Sequence, residues 1–211
     1  MIQIPARFRM TWDQVRPRIL PRLLSTEWHS EYVKDLVKLP VVADIVETFY
    51  IDVHDFADCP DVETHAHIAV TYDLLRHLDK SIDDLVAAVA ENTRDTYTVK
   101  PLGQLMSEMF GAPAPEAESP LVVVTNTANW CASAGILNPT IQQDLTCMLG
   151  EDFYVLPSSV HEVLCVSSDT VSSVDDLVRM VRTINREVVE ADDCLSDHVF
   201  QIQAGRLVAR G

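Results

Sequence analysis

The sequence predicts an α+β fold: a mixed or antiparallel central sheet of five to six strands, helices packed on it, and a helical N-terminal segment. Three observations predict it. Apolar runs of strand length are interspersed with stretches of helical period, and some of those runs follow each other with no helix between, which breaks strict βαβ order. Helix-start signals recur, as in Ser81-Ile82-Asp83-Asp84 and Asn138-Pro139. Hydrophobic residues make up 47% and charged residues 23% of a 211-residue chain, enough to bury a core without disulfides.

In chain order, Thr11-Trp12-Asp13-Gln14 has the spacing of a capping box, so a short helix opens there, and Pro17 and Pro21 interrupt it. Tyr32, Val33, Leu36 and Val37 fall at helical spacing over residues 30–38. Pro40 suits the first turn of a second helix to about Tyr50, with Val42, Ile45, Val46 and Phe49 on one stripe. Residues 1–50 are thus expected to form a helical segment, and residues 51–211 the α+β domain. The acidic stretch 51–67 lacks a period and reads as a loop. His67–Thr71 reads as a strand, and Ser81 opens a helix to about Asn92. A short helix fits Leu102–Phe110. Residues 111–120, with three prolines, form an extended connector. Leu121–Thr125 is an uninterrupted β-branched run, as expected of a strand buried on both faces. Asn138-Pro139 begins a helix that Gly150 ends. Phe153–Leu156 and Val163–Val166 read as central strands. Val174, Leu177, Val178, Val181 and Ile184 mark a helix capped near Ser173. Val199–Gln203 and Leu207–Ala209 flank Ala204-Gly205 as a closing hairpin.

The charge is unusual: 32 acidic residues against 16 basic ones give a net −16. Residues 1–38 hold seven basic and four acidic groups, a net +3, which leaves −19 on the rest. Such a surface repels phosphate, so direct nucleic-acid binding is not expected. An acidic surface of this kind also suits a decoy for the basic groove of a nucleic-acid enzyme. The five cysteines are odd in number and lack CxxC spacing, which fits thiols in a reducing compartment. No apolar run approaches the ~20 residues that span a bilayer, and the N-terminus lacks a signal core. No membrane association and a cytoplasmic location are therefore expected.

The stretch Tyr154–Cys165, YVLPSSVHEVLC, brings Ser158, Ser159, His161 and Glu162 together at a turn. On a strand, neighbouring side chains face opposite ways, so His161 and Glu162 form no dyad by themselves. Ser159 could reach the imidazole, but the glycine-flanked nucleophile elbow is missing. The residues equally suit a polar turn, with Pro157 fixing φ and the hydroxyls bonding nearby amides. Asn126 follows a strand end where ligands often sit, and Trp130 and Cys131 near it read as core residues. Ser196 and Asp197 precede the last hairpin as turn formers. In the acidic loop, His54, Cys59, His65 and His67 could form a zinc set, with His65 and His67 on one strand face, but neither HExxH nor paired CxxC accompanies them. No GxGxxG or GxxxxGK loop is present, so no nucleotide cofactor is expected, and the other stretches imply none.

Three stretches, Ile68–Thr93, Leu121–Leu145, and "DFYVLPSSVHEVLCV" with "VRTINREVVEADDCLSDHVF", resemble an uncharacterised family of bacterial proteins, a domain of unknown function common in gut Firmicutes and their mobile elements. The likeness is carried most by Leu-Pro-Ser-Ser-aliphatic-His-Glu-Val, with Leu-Ser-Asp about thirty residues later. It implies a compact α+β fold in a bacterial cytoplasm. It also implies that Ser158, Ser159, His161 and Glu162 are a family feature, without assigning an activity. The leading expectation is a non-enzymatic accessory or protein-interaction factor of a mobile element with an unidentified protein partner. The alternatives are an acidic inhibitor acting on a nuclease, a Ser/His hydrolase, or a metal-binding protein.

Overall fold

The computed structural model of the chain describes residues 10–53, 66–111, 120–157, 159–203 and 205–211. The fold is α+β, built from two antiparallel sheets with helices against them. The first helix, α1 (Trp12–Val15), opens on the Thr11 capping box, with Gln14 reaching back to the Thr11 amide.

Four strands form the first sheet: β1 (Ile19–Ser25), β2 (Lys38–Val42), β3 (Ile45–Asp52) and β4 (His67–Ala69). β3 lies in the middle. β1 pairs along one side of it, from Ile19↔Ile51 to Ser25↔Ile45, while β2 and β4 share the other side. The helices expected over residues 30–38 and 40–50 do not form. Residues 26–35 are turn and bend, and residues 38–52 are largely the hairpin β2–β3. The physical reason lies in β3, which is buried on both faces, so its nearly continuous apolar run contains helix-like spacings by coincidence. Pro21 and Pro40 sit in β1 and β2, strands that pair on one side only, where a missing N–H costs no ladder bond.

One face of this sheet packs Ile19, Phe49 and Ile51 against Leu74 and Leu75 of α2 (Tyr72–His77) and Leu85, Ala88 and Val89 of α3 (Ile82–Asn92). α3 starts on the Ser81 capping box predicted from sequence. The basic N-terminal stretch docks on this helix: Arg16 pairs with Glu91, and Asn92 Nδ2 donates to the carbonyls of Arg16 and Ile19. On the opposite face, alternation places Arg22, Tyr50 and His67 together.

The second sheet has six strands: β5 (Tyr97–Pro101), β6 (Leu121–Asn126), β7 (Phe153–Leu156), β8 (Val163–Ser167), β9 (Phe200–Gln203) and β10 (Arg206–Ala209). Their order is β10-β9-β7-β8-β6-β5, with every neighbour antiparallel. α4 (Leu102–Phe110) lies between β5 and β6 in sequence. β6 and β7 therefore run parallel with β8 between them, joined through α5 (Pro139–Leu149). β8 and β9 likewise run parallel about β7, joined through α6 (Val174–Glu187). These are two interlocked split β-α-β units. Asn138 and Ser173 cap the two helices through their side chains, as expected.

α6 covers one face of this sheet through Val178 and Val181, against Leu156 and Val199. The main core lies on the other face, where Val124, Phe153, Val163 and Phe200 meet Leu24 and Val46 of the first sheet. A 3-10 turn at Ala132–Leu137 is wedged here. Gly135 makes the fit possible, since a Cβ on it would lie 2.8 Å from both Tyr97 Cδ1 and Val124 Cγ1. Strand direction has a further effect. The start of β5, the end of β6, the end of β7 and the starts of β8 and β9 all fall at one end of the sheet.

Candidate functional site

That end gathers the polar stretches singled out from sequence. Ser159 and Cys194 form an isolated antiparallel bridge. The Val160 amide donates to the Asp193 carbonyl at 2.8 Å, and the Ser196 amide to the Pro157 carbonyl at 3.0 Å. Pro157 and Ser159–Glu162 on one side, and the Asp-Cys-Leu-Ser-Asp stretch on the other, are thus two sides of one clasp, with α6 between them in sequence. Ser159 Oγ accepts from the His161 amide at 3.0 Å, the local turn bond that a serine at such a position makes.

His161 is held on three sides. The Cys131 amide donates to Nδ1 at 3.3 Å, so Nδ1 keeps its lone pair and the ring proton sits on Nε2. Nε2 lies 3.1 Å from Asp193 Oδ1 and donates to it. The Trp130 ring packs against the imidazole, with centroids 4.5 Å apart and planes 36° from parallel. The loop after β6 is shaped to deliver these partners. Asn126 bonds Trp130 twice, Nδ2 donating to its carbonyl and Oδ1 accepting from its amide. Asn129 and Cys131 adopt left-handed backbone, with φ of 49° and 50°. Ser133 Oγ and the Ala132 amide then donate to the carbonyls of Val160 and His161. An aromatic chain extends from Trp130 to His67 and on to Tyr50 across the inter-sheet space, and the Arg22 guanidinium lies 6.0 Å from the Trp130 centroid.

In residue type and order, Cys131, His161 and Asp193 match a thiol hydrolase. The geometry differs. The backbone amide of Cys131 occupies the imidazole nitrogen, its side chain is 2% exposed, and burial pushes its thiol up to about 12, with Arg22 opposing the rise. A thiol held protonated is a poor nucleophile. The carboxylate on His161 comes from Asp193, thirty-two residues away, and not from its neighbour Glu162.

Ser196 belongs to a second polar centre beside the first. Asp44 is 6% exposed, and its two carboxylate oxygens accept from Ser25 Oγ at 2.5 Å and Ser196 Oγ at 2.8 Å. Ser25 Oγ also accepts from the amides of Glu27 and Trp28, and Ser196 Oγ from that of His198. Asp197 accepts from Asn185 Nδ2, which fixes the clasp to α6. His29 joins the sheets nearby, with Nε2 3.0 Å from the Asp192 carbonyl.

A cleft of about 300 Å³ opens between the sheets beside Trp130. Its walls include Tyr50, Tyr97, Trp130, His67, Asp52 and Asp95, with Asn126 at one margin. Burial raises both tyrosine hydroxyls far above their ordinary range, so they stay protonated.

The structure therefore brings Asn126, Ser159, His161, Ser196 and Asp197 into one connected region. Ser158, His54, Cys59 and His65 lie outside the described residues, while His67 stands in the cleft wall. Among the described residues no group of three or more His, Cys, Asp or Glu side chains is placed to hold a metal. None of their helices is long and apolar enough to cross a membrane. Sequence reading missed Asp44, Asp193, Tyr50 and Tyr97. It placed Trp130 and Cys131 in the core, and Cys131 is indeed buried.

A family model described as a family of unknown function (DUF5688) matches residues 2–203. The chain belongs to this family. The match takes in the first sheet and the second as far as β9, and includes both sides of the clasp. No curated protein and no solved structure matches.

Proposed function

We propose that this chain acts by binding, as a non-catalytic accessory or protein-interaction factor, with a bacterial mobile element as its setting. One observation carries the reading. His161, the histidine at the centre of the connected region, spends both ring nitrogens on holding the fold, Nδ1 on the Cys131 amide and Nε2 on Asp193. A general base needs a nitrogen within reach of the proton it removes. The nearby groups agree: Ser159 Oγ takes the His161 amide, and the Cys131 thiol is held protonated. The test compares the purified chain with its His161→Ala variant on ester, peptide and phosphoester substrates, alongside isolation of stoichiometric complexes. The reading expects no turnover above the variant and a stable complex. Turnover that His161→Ala abolishes would overturn it.

The net charge of −16 favours a second reading, an acidic inhibitor that occupies the basic groove of a nuclease. It predicts tight binding to a basic protein that weakens steeply with added salt. Binding indifferent to salt would exclude it.

A further inference from the structure

The inter-sheet cleft stands beside the clasp and takes no part in closing it. Its size suits a small molecule or one side chain. Its described lining is acidic and aromatic. Asp52 and Asp95 both line it, and among the described lining residues there is neither lysine nor arginine. Three aromatic residues, Tyr50, Tyr97 and Trp130, contribute to the walls, and ring faces and phenolic oxygens attract positive charge. The two phenols remain neutral hydrogen-bonding groups at any ordinary pH, because burial resists their ionisation. Asn126 and Thr98 add further polar atoms at the margin. Outside the cleft, a net charge of −16 concentrates cations around the protein.

We propose that this cleft binds an organic ammonium group, held between the Asp52 and Asp95 carboxylates and the aromatic walls. The proposal deepens the binding reading above, since the ammonium can belong to a free amine or to a lysine side chain of a protein partner. Arg22 is outside the lining but close to it, 6.0 Å from the Trp130 centroid and near enough to act on Tyr50, so the Asp52 and Asp95 carboxylates outnumber this one guanidinium two to one.

The experiment is a two-dimensional amide and indole NMR titration of the full chain. The chain has three tryptophans, so the Trp130 indole signal is one of three to assign. The probes are choline, its neutral carbon isostere neohexyl alcohol, and N-acetyl-lysine methylamide. The expected result is a saturable shift of Trp130, Thr96 and Asn126 signals with a charged probe and none with the alcohol. Asp95→Asn, an exposed position, should weaken binding by roughly three- to tenfold while leaving the melting curve unchanged. Binding of choline alone marks a free amine as the ligand; binding of the lysine derivative alone marks a protein side chain; either supports the site. No saturable shift with either charged probe, or equal shifts with the alcohol, overturns it. The substrate screen and complex isolation are separate measurements, so the cleft can fail while the non-catalytic reading stands, and the reverse.

Discussion

Gly135→Ala offers a sharp test of the packing, because two general effects oppose each other there. The glycine lies in the 3-10 turn Ala132–Leu137, in a backbone conformation open to any L-residue. By the unfolded-state argument alone, alanine should stabilise the protein by about 0.4–1 kcal/mol. The contacts predict the reverse. The new methyl would sit 2.8 Å from both Tyr97 Cδ1 and Val124 Cγ1, roughly 1 Å inside ordinary carbon–carbon separation. Val124 is fully buried on a central strand and pairs with both Val99 and Val163, so it has little room to yield. Overpacking of this kind costs about 1–3 kcal/mol, and the mid-range values of cost and gain leave a net loss of about 1.3 kcal/mol. For a chain of this size each kcal/mol lowers the melting temperature by about 2–4 °C. Urea denaturation should show a lower midpoint with an unchanged slope. Adding Tyr97→Leu should recover part of the loss, as a coupled pair in a double-mutant cycle. A midpoint equal to or above that of the parent chain would refute the contact geometry on which the inter-sheet space is drawn.

Asp44→Ala removes the acceptor for two buried hydroxyls and should cost about 2–4 kcal/mol by chemical denaturation, more than Ser25→Ala or Ser196→Ala singly. Equal losses for all three would show that the carboxylate is not the hub. His161→Ala should lower stability by about 1–3 kcal/mol through the lost Asp193 bond and Trp130 contact, and near-ultraviolet circular dichroism should report the altered indole environment. In the native chain, Cys147 is exposed while Cys131, Cys165 and Cys194 are buried, so mass-spectrometric mapping of brief alkylation should find Cys147 modified and those three protected. Stability should fall in alkali. The Cys131 thiol is raised from 9.0 to about 12 on folding, so its contribution is complete below pH 9 and is lost as pH climbs towards 12, with Tyr50 and Tyr97 adding the same sign above pH 10. A urea midpoint as high at pH 10.5 (roughly midway through the Cys131 window) as at pH 7 would contradict this.

Much of the second sheet, and helix α3 on the first, was legible because the signals are local. The Ser81 box, the Asn138-Pro139 start, and the runs at Phe153–Leu156 and Val163–Val166 each carry their own cap or period. Of the first sheet only β4 was legible, at His67–Thr71, and β1 to β3 were not, for the opposite reason. Proline in β1 and β2 suggests helix ends, while the two-sided burial of β3 erases the alternation that marks a strand. β5 also escaped, since Tyr97-Thr98-Val99-Lys100-Pro101 is short and ends in proline. At the site, sequence could identify Ser159, His161, Ser196 and Asp197 as polar turn residues. It could not pair His161 with Asp193 across a whole helix. Nor could it show that Asp44, which falls inside the helix expected over residues 40–50, is buried under two distant serines. Trp130 and Cys131 look like core residues in any local window, and only the antiparallel pairing of β6 with β8 makes them partners of the imidazole.

The Asp44–Ser196 bond joins positions 152 residues apart. During synthesis the early hairpin can pair its strands, but its buried carboxylate has no second hydroxyl until nearly the whole chain has left the ribosome. Until then water takes the place of Ser196 at that oxygen, so the seam between the layers closes dry only when the last strands arrive, and a C-terminally clipped chain leaves Asp44 with one hydroxyl partner.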